Sequence, residues 1–172
     1  RVRGKKYTVT SGSDKEVIVC PTFAENLRYF FRYQVGFMYL RYFMWNFAGR
    51  QNDVQGNGNP IHGNWISGIN FIDEARLGKL ENLPDDLKDN PGRNTYFFLP
   101  LLLGLAGAYW HYKKDRNGFW LVFTFFFMTG IAIIFYLNQY PNQPRERDYA
   151  YAGSFYAFAI WIGVGFMVVY EN

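Results

Sequence analysis

The sequence predicts an all-α integral membrane protein with three membrane-spanning helices and one interfacial aromatic helix. A helix needs roughly 20 mostly apolar residues to cross about 30 Å of hydrocarbon. Windows of 19, 28 and 22 residues without Asp, Glu, Lys or Arg lie at 94–112, 117–144 and 149–170. Aromatic residues make up 22% of the chain and recur at the ends of these windows, as at membrane–water boundaries. The predicted spans are about 95–112, 119–138 and 153–170.

Composition argues against several classes of function, beginning with nucleic-acid binding. The formal charge of +4 and pI near 9.1 suit a basic protein, but the basic residues are spread out, so we predict no nucleic-acid partner. The single Cys20 excludes an internal disulfide. His62 and His111 have no second ligand at metal spacing, so no metal site or cofactor is predicted, and a divalent cation stays open. We expect the chain to be a fragment of a longer protein, whose remaining helices are its partners.

The polar segment 1–22 predicts a small β-hairpin. Two β-like runs, Lys6–Thr10 and Glu16–Cys20, flank the turn signal Ser11–Asp14. Thr22 followed by Glu25 matches a capping box, which predicts a helix start.

Segment 23–48 has apolar and aromatic residues at helical spacing, interrupted by arginines. Arg28 and Arg32 lie one turn apart, and Arg41 lies deep in the aromatic half. A helix at the membrane surface explains the arginines and tyrosines together. A fourth span would have to bury Arg41, which is costly without a partner. We favour an interfacial or partly re-entrant helix that contacts membrane lipid.

Loop charge predicts the orientation. The short connection 111–117 holds Lys113, Lys114 and Arg116, so the positive-inside bias makes it cytoplasmic. The polar loop 49–94, with five basic and seven acidic residues, and the loop 139–152 then lie on the periplasmic or luminal side.

The strongest candidate site is the segment 141–151, where charges alternate after two prolines. An extended backbone would point Arg145 and Arg147 to one side and Glu146 and Asp148 to the other. Paired guanidinium groups suit a phosphate or carboxylate. The carboxylates are candidates for a base or a metal ligand. The alternative is a solvated loop whose charges neutralise one another.

A second polar cluster, 46–53, follows the aromatic helix. It presents Arg50, Gln51, Asn52 and Asp53 near the predicted interface. In the alternative interpretation, Gly49 is a left-handed helix cap and the polar side chains satisfy carbonyls.

Three long strings, Arg41–Asp53, His62–Ile69 and Gln143–Tyr156, resemble a large bacterial family of multi-spanning membrane proteins described only as a domain of unknown function. That family is similar to an animal transmembrane protein O-mannosyltransferase that modifies plexin-type receptors. The resemblance implies a glycosyltransferase that moves a sugar, with mannose as the candidate, from a polyprenyl-phosphate donor to a protein hydroxyl. It also implies the bacterial inner membrane, with the loops 49–94 and 139–152 periplasmic.

For such a reaction, we assign Arg145 and Arg147 to phosphate binding, with Arg50 as a helper. Glu146 and Asp148 are the candidates for base or metal ligand. In enzymes of this class the key carboxylate lies in an early outer loop, which we expect to precede this segment. The alternatives are a non-catalytic membrane scaffold or partner subunit, and then a transporter.

Overall fold

The computed structural model is mostly helical and describes residues 3–11, 14–56, 58–140 and 148–171. Strands β1 (Lys5–Ser11) and β2 (Asp14–Cys20) pair antiparallel, with Tyr7 opposite Ile18. The predicted N-terminal hairpin is therefore confirmed.

Helix α1 covers residues 23–47 and begins at a capping box. The Thr22 hydroxyl accepts from the Glu25 amide at 3.4 Å, and the Glu25 carboxylate accepts from the Thr22 amide at 2.9 Å. This confirms the predicted helix start. The middle segment, Phe30–Leu40, is a π-helix, and helical backbone angles continue through both of its ends. The segment is therefore one continuous helix.

The polar loop is organised around a short strand pair. Strand β3 (Gly49–Arg50) pairs antiparallel with β4 (Asn94–Thr95). Between them lie helices α2 (Asn70–Leu77) and α3 (Asp85–Lys88). Gly49 has φ +144°, and a Cβ there would lie 2.7 Å from the Asn94 carbonyl oxygen. It is therefore a strand glycine that permits close strand approach, and not the left-handed helix cap.

Three helices follow: α4 (Leu99–Lys114), α5 (116–137) and α6 (Ala152–Glu171). Two helices, at Arg116–Leu137 and Tyr149–Tyr170, are long and apolar enough to cross a membrane. Only 11% and 28% of their apolar windows are buried, so most of this surface is exposed. Such exposure is unfavourable in water, and lipid or further protein would cover it.

The first predicted span differs from its helix. Helix α4 has 16 residues and begins at Leu99, four residues later than predicted. Asn94 and Thr95 belong to a strand, and Phe97 and Phe98 have positive φ, so the backbone becomes helical only after them. A helix of 16 residues covers about 24 Å. The three-span prediction is therefore supported for two helices.

Helix α1 lies lengthwise along α5 and α6. The rings of Phe30 and Phe135 are 4.4 Å apart, and those of Phe43 and Phe126 are 6.1 Å apart, so α1 runs antiparallel to α5. The interfacial position of α1 stays a prediction. The end of α1 lies beside α6, where the rings of Phe47 and Phe158 are 4.6 Å apart, so the polar loop follows α1 away from the end of α5.

Burial of Arg41 accompanies this packing. Its side chain is 9% exposed, and Nη1 donates to the Gly63 carbonyl at 2.6 Å. Nε donates to the Phe37 carbonyl at 3.1 Å, and the guanidinium lies 4.5 Å from the Phe37 ring centroid. These partners offset the desolvation that made a buried Arg41 unfavourable from the sequence.

Candidate functional site

The predicted phosphate-binding segment is only partly described. Arg145, Glu146 and Arg147 lie outside the described residues. Asp148 begins the 3₁₀ turn Asp148–Tyr151, which leads directly into α6, and its side chain also lies outside the described part.

Arg50 lies in β3 and packs on an aromatic ring. Its guanidinium carbon is 4.5 Å from the Trp45 ring centroid, and its amide donates to the Asn94 side chain at 3.1 Å. The buried Nε has no hydrogen-bond acceptor among the residues that the structure describes. Arg50 thus keeps one guanidinium donor that an anion could use.

The other polar residues of the second cluster hold the loop together. Asn52 is fully buried, donates to the Ile61 carbonyl and accepts from the Gly63 amide, both at 2.8 Å. Gln51 is also buried and donates to the Pro60 carbonyl at 3.0 Å. These side chains donate to carbonyls of the loop and so stabilise it. This agrees with the alternative interpretation, in which the polar residues after the aromatic helix satisfy carbonyls.

A large cavity of about 710 Å³, which we call the helix-end cavity, lies between the first half of α1 and the end of α5. Its wall is mainly aromatic and aliphatic and includes Leu27, Phe30, Phe31 and Phe135. Gln34, Asn138 and Gln139 are joined by hydrogen bonds and form its polar end. The polar residues Glu25 and Asn26 also line the cavity.

The polar end of the helix-end cavity centres on Gln139. Its backbone carbonyl accepts from the Tyr29 hydroxyl at 2.7 Å and from the Gln34 amide at 2.8 Å. A phenol is protonated at neutral pH, so the Tyr29 hydroxyl donates. The Gln139 side chain is 3% exposed, and neither of its amide atoms has a partner within the described residues. An uncharged donor–acceptor pair therefore lies beside an apolar wall.

The structure separates Arg50 from this cavity. The cavity contacts the first half of α1, whereas Arg50 follows the other end of the same helix. Phe47 follows Phe30 by 17 residues of continuous helix. Tyr140, by contrast, lines the cavity and precedes Arg145 by five residues in the sequence.

Sequence reasoning did not identify the helix-end cavity. The available signals were Gln34 within an aromatic helix and the pair Asn138–Gln139 directly after an apolar window. Each is a polar amide at a position where the neighbouring residues are apolar. Their convergence depends on the antiparallel packing of α1 and α5, which a single sequence does not show.

The chain matches no protein-family model, and no similar protein was found among curated sequences or solved structures.

Proposed function

We propose that this chain is part of a membrane-embedded glycosyltransferase that transfers a sugar from a polyprenyl phosphate to a protein hydroxyl. The observation that carries the proposal is the helix-end cavity, whose apolar wall and polar end lie where a candidate membrane helix ends. A polyprenyl phosphate sugar has the same division into an apolar chain and a polar head. The resemblance of three sequence strings to a family similar to an O-mannosyltransferase supports the reaction type and makes mannose the candidate sugar.

In this proposal the prenyl chain lies against the apolar wall, near Leu27, Phe30 and Phe135. The head group lies toward Gln139, at the start of the connection to α6. Apolar side chains exclude water from the chain, and burial of prenyl carbons contributes about 25 cal/mol per Å².

Four charged residues of that connection are assigned to the chemistry. The acceptor hydroxyl attacks the anomeric carbon as the bond from that carbon to the phosphate oxygen breaks. Arg145 and Arg147 stabilise the departing phosphate through charge-assisted hydrogen bonds. Glu146 or Asp148 takes the proton of the hydroxyl. Because Arg50 lies at the far end of α1, we leave it out of the phosphate site.

We place the reaction on the periplasmic side of a bacterial inner membrane. The basic loop that joins α4 to α5 favours the cytoplasm, and the end of α5 that borders the helix-end cavity is then outside.

Two matched leucines test the role of the helix-end cavity. Leu27 and Leu40 lie on α1 and are 45% and 47% exposed, but only Leu27 is among the residues that line this cavity. Leu27→Trp fills part of the cavity, so in the full-length protein the KM for the lipid-linked donor should rise about tenfold, equivalent to about 1.4 kcal/mol. Leu40→Trp should leave it unchanged. The assay is transfer of radiolabelled sugar from a polyprenyl phosphate in membranes.

Equal KM values for Leu27→Trp and the wild-type protein would contradict donor binding in the helix-end cavity. No transfer by the full-length wild-type protein with any polyprenyl-phosphate sugar would favour the alternative, a non-catalytic scaffold or partner subunit.

A further inference from the structure

A second, smaller cavity lies within the polar loop, and we propose that it binds a compact neutral polyol with the chemistry of a single sugar ring. This loop cavity has a volume of about 220 Å³ and lies between the strand pair β3–β4 and helix α2. Typical ligand clefts measure about 300–1,000 Å³, so the loop cavity suits a small molecule. It is separate from the helix-end cavity and requires no transfer activity.

The hydrogen-bond donor of the loop cavity is Arg93, which directly precedes β4. Its Nη1 is buried and has no acceptor in the described part of the chain, where Arg93 also forms no ion pair. A buried donor without a partner is unfavourable, above all when it is charged. An oxygen atom of a ligand in the cavity would satisfy it, and the Thr95 side chain lies on the same lining.

The acceptors of the loop cavity come from helix α2 and the turn after it. Asp73 accepts from the amides of Ser67 and Gly68, both at 2.8 Å, which fixes its carboxylate. Glu74 and Glu81 also line the cavity and are exposed, so they can accept hydrogen bonds from a ligand.

The charges of the lining disfavour an anion. The carboxylates of Asp73, Glu74 and Glu81 outnumber the guanidinium of Arg93, and like charges repel. Among the described residues, moreover, no group of three metal-ligating side chains could hold a metal ion. A hydroxyl group both donates and accepts, so a polyol can bond to both kinds of side chain.

The remaining wall of the loop cavity is apolar. Ile66, Leu77 and Leu83 line it, and Ile66 is buried. A sugar ring presents C–H groups on its faces and hydroxyls around its edge. Its faces would contact these side chains while its edge bonded to Arg93 and the glutamates. A small zwitterion satisfies the charges but uses less of the apolar wall.

The test is saturation-transfer NMR on the detergent-solubilised full-length protein, with methyl α-mannoside, glycine and inorganic phosphate as separate probes. Methyl α-mannoside should give a signal that unlabelled mannose competes away, whereas glycine and phosphate should not. Arg93→Met removes the donor at similar length and should weaken mannoside binding at least tenfold. Arg28→Met, an exposed arginine on α1 that does not line the loop cavity, should leave it unchanged.

Glu74→Gln gives a second variant with little risk to folding, because Glu74 is exposed. It should weaken mannoside binding about threefold to tenfold. Absence of mannoside binding, binding of glycine or phosphate instead, or equal mannoside binding by folded Arg93→Met would overturn the inference. Leu27→Trp should bind mannoside normally, so failure of this site and failure of the proposed transferase would be distinguishable.

Discussion

The Tyr39 hydroxyl donates a 3.1 Å hydrogen bond to the Ser154 hydroxyl, and both side chains are almost completely buried. The Ser154 hydroxyl in turn donates to the Tyr151 carbonyl at 2.8 Å. This chain of bonds connects α1 to the start of α6, directly after the charged segment proposed to bind phosphate. The aromatic helix is therefore fixed to the bundle by polar as well as apolar contacts.

Removing the Tyr39 hydroxyl and removing the Ser154 hydroxyl should lower the free energy of unfolding by different amounts. In Tyr39→Phe, the Ser154 hydroxyl keeps its carbonyl acceptor, so the free energy of unfolding should fall by about 0.5–1.5 kcal/mol. Ser154→Ala leaves the buried Tyr39 hydroxyl without its acceptor and should lower it by about 1–3 kcal/mol. Denaturant unfolding in detergent measures the free energy of unfolding of each variant. The double variant should lose less free energy of unfolding than the two single variants added together. A larger loss in Tyr39→Phe than in Ser154→Ala would contradict this account.

Two glycines should respond in opposite ways to alanine. At Gly107 an added Cβ would collide with the Trp161 backbone carbonyl, because α4 and α6 pack closely there. Gly107→Ala should therefore separate the helices and lower the free energy of unfolding by about 1–3 kcal/mol. At Gly163 nothing lies within 4 Å, so Gly163→Ala should be neutral or stabilising by up to about 1 kcal/mol. Similar melting temperatures for both variants would argue against tight α4–α6 packing.

Local signals in the sequence predicted the ends of elements well. The Thr22–Glu25 capping box and the pairing of two β-like runs as a hairpin depend on neighbouring residues only, and both predictions are confirmed. The apolar windows likewise predicted α5 and α6, because a long uncharged run needs no tertiary information to be recognised.

Long-range contacts explain what the sequence did not predict. Arg41 finds its acceptor in the carbonyl of Gly63, 22 residues later, so its burial could not be judged from α1 alone. The late start of α4 depends on the pairing of Thr95 with Gly49 across the loop. Both cavities depend on segments that meet only in the fold. The roles of Arg145 and Arg147 stay predictions.

The junction of hairpin and α1 should respond to acid through Glu25. The amides of Thr22 and Arg3 donate to its carboxylate at 2.9 and 2.7 Å, and they lower its pKa from 4.5 to about 2. The stabilisation is therefore complete above about pH 4.5 and is lost as the pH falls toward 2. A dye on the exposed Cys20 should report loosening over that range as a fall in fluorescence anisotropy.

Glu25→Gln should abolish that pH response, whereas Glu74→Gln, on an exposed glutamate of α2, should preserve it. An acid transition that persists in Glu25→Gln would assign the response to another group.

The proposed orientation can be read from thiol labelling. In a Cys20→Ser background, Arg145→Cys should react with an impermeant thiol reagent in intact cells, because the connection after α5 is predicted to lie outside. Lys114→Cys should react only after permeabilisation, because its basic loop is predicted to be cytoplasmic. Labelling at position 114 but not at 145 in intact cells would reverse the orientation and remove the periplasmic assignment.

The proposed phosphate site should distinguish a guanidinium from a simple positive charge. Charge-assisted hydrogen bonds contribute about 1.5–3 kcal/mol each, so Arg145→Ala or Arg147→Ala should weaken donor binding by roughly tenfold to a hundredfold or more. Arg147→Lys keeps the charge but loses the forked donors, so its affinity should fall between those of wild type and Arg147→Ala. Arg28→Ala, an exposed arginine on α1, is the control and should bind the donor normally. The measurement is donor affinity and transfer rate in the full-length protein, with folding checked by size-exclusion chromatography. If both alanine variants fold, insert and transfer sugar at the wild-type rate, neither arginine binds the phosphate, and the assignment fails even if the helix-end cavity binds lipid.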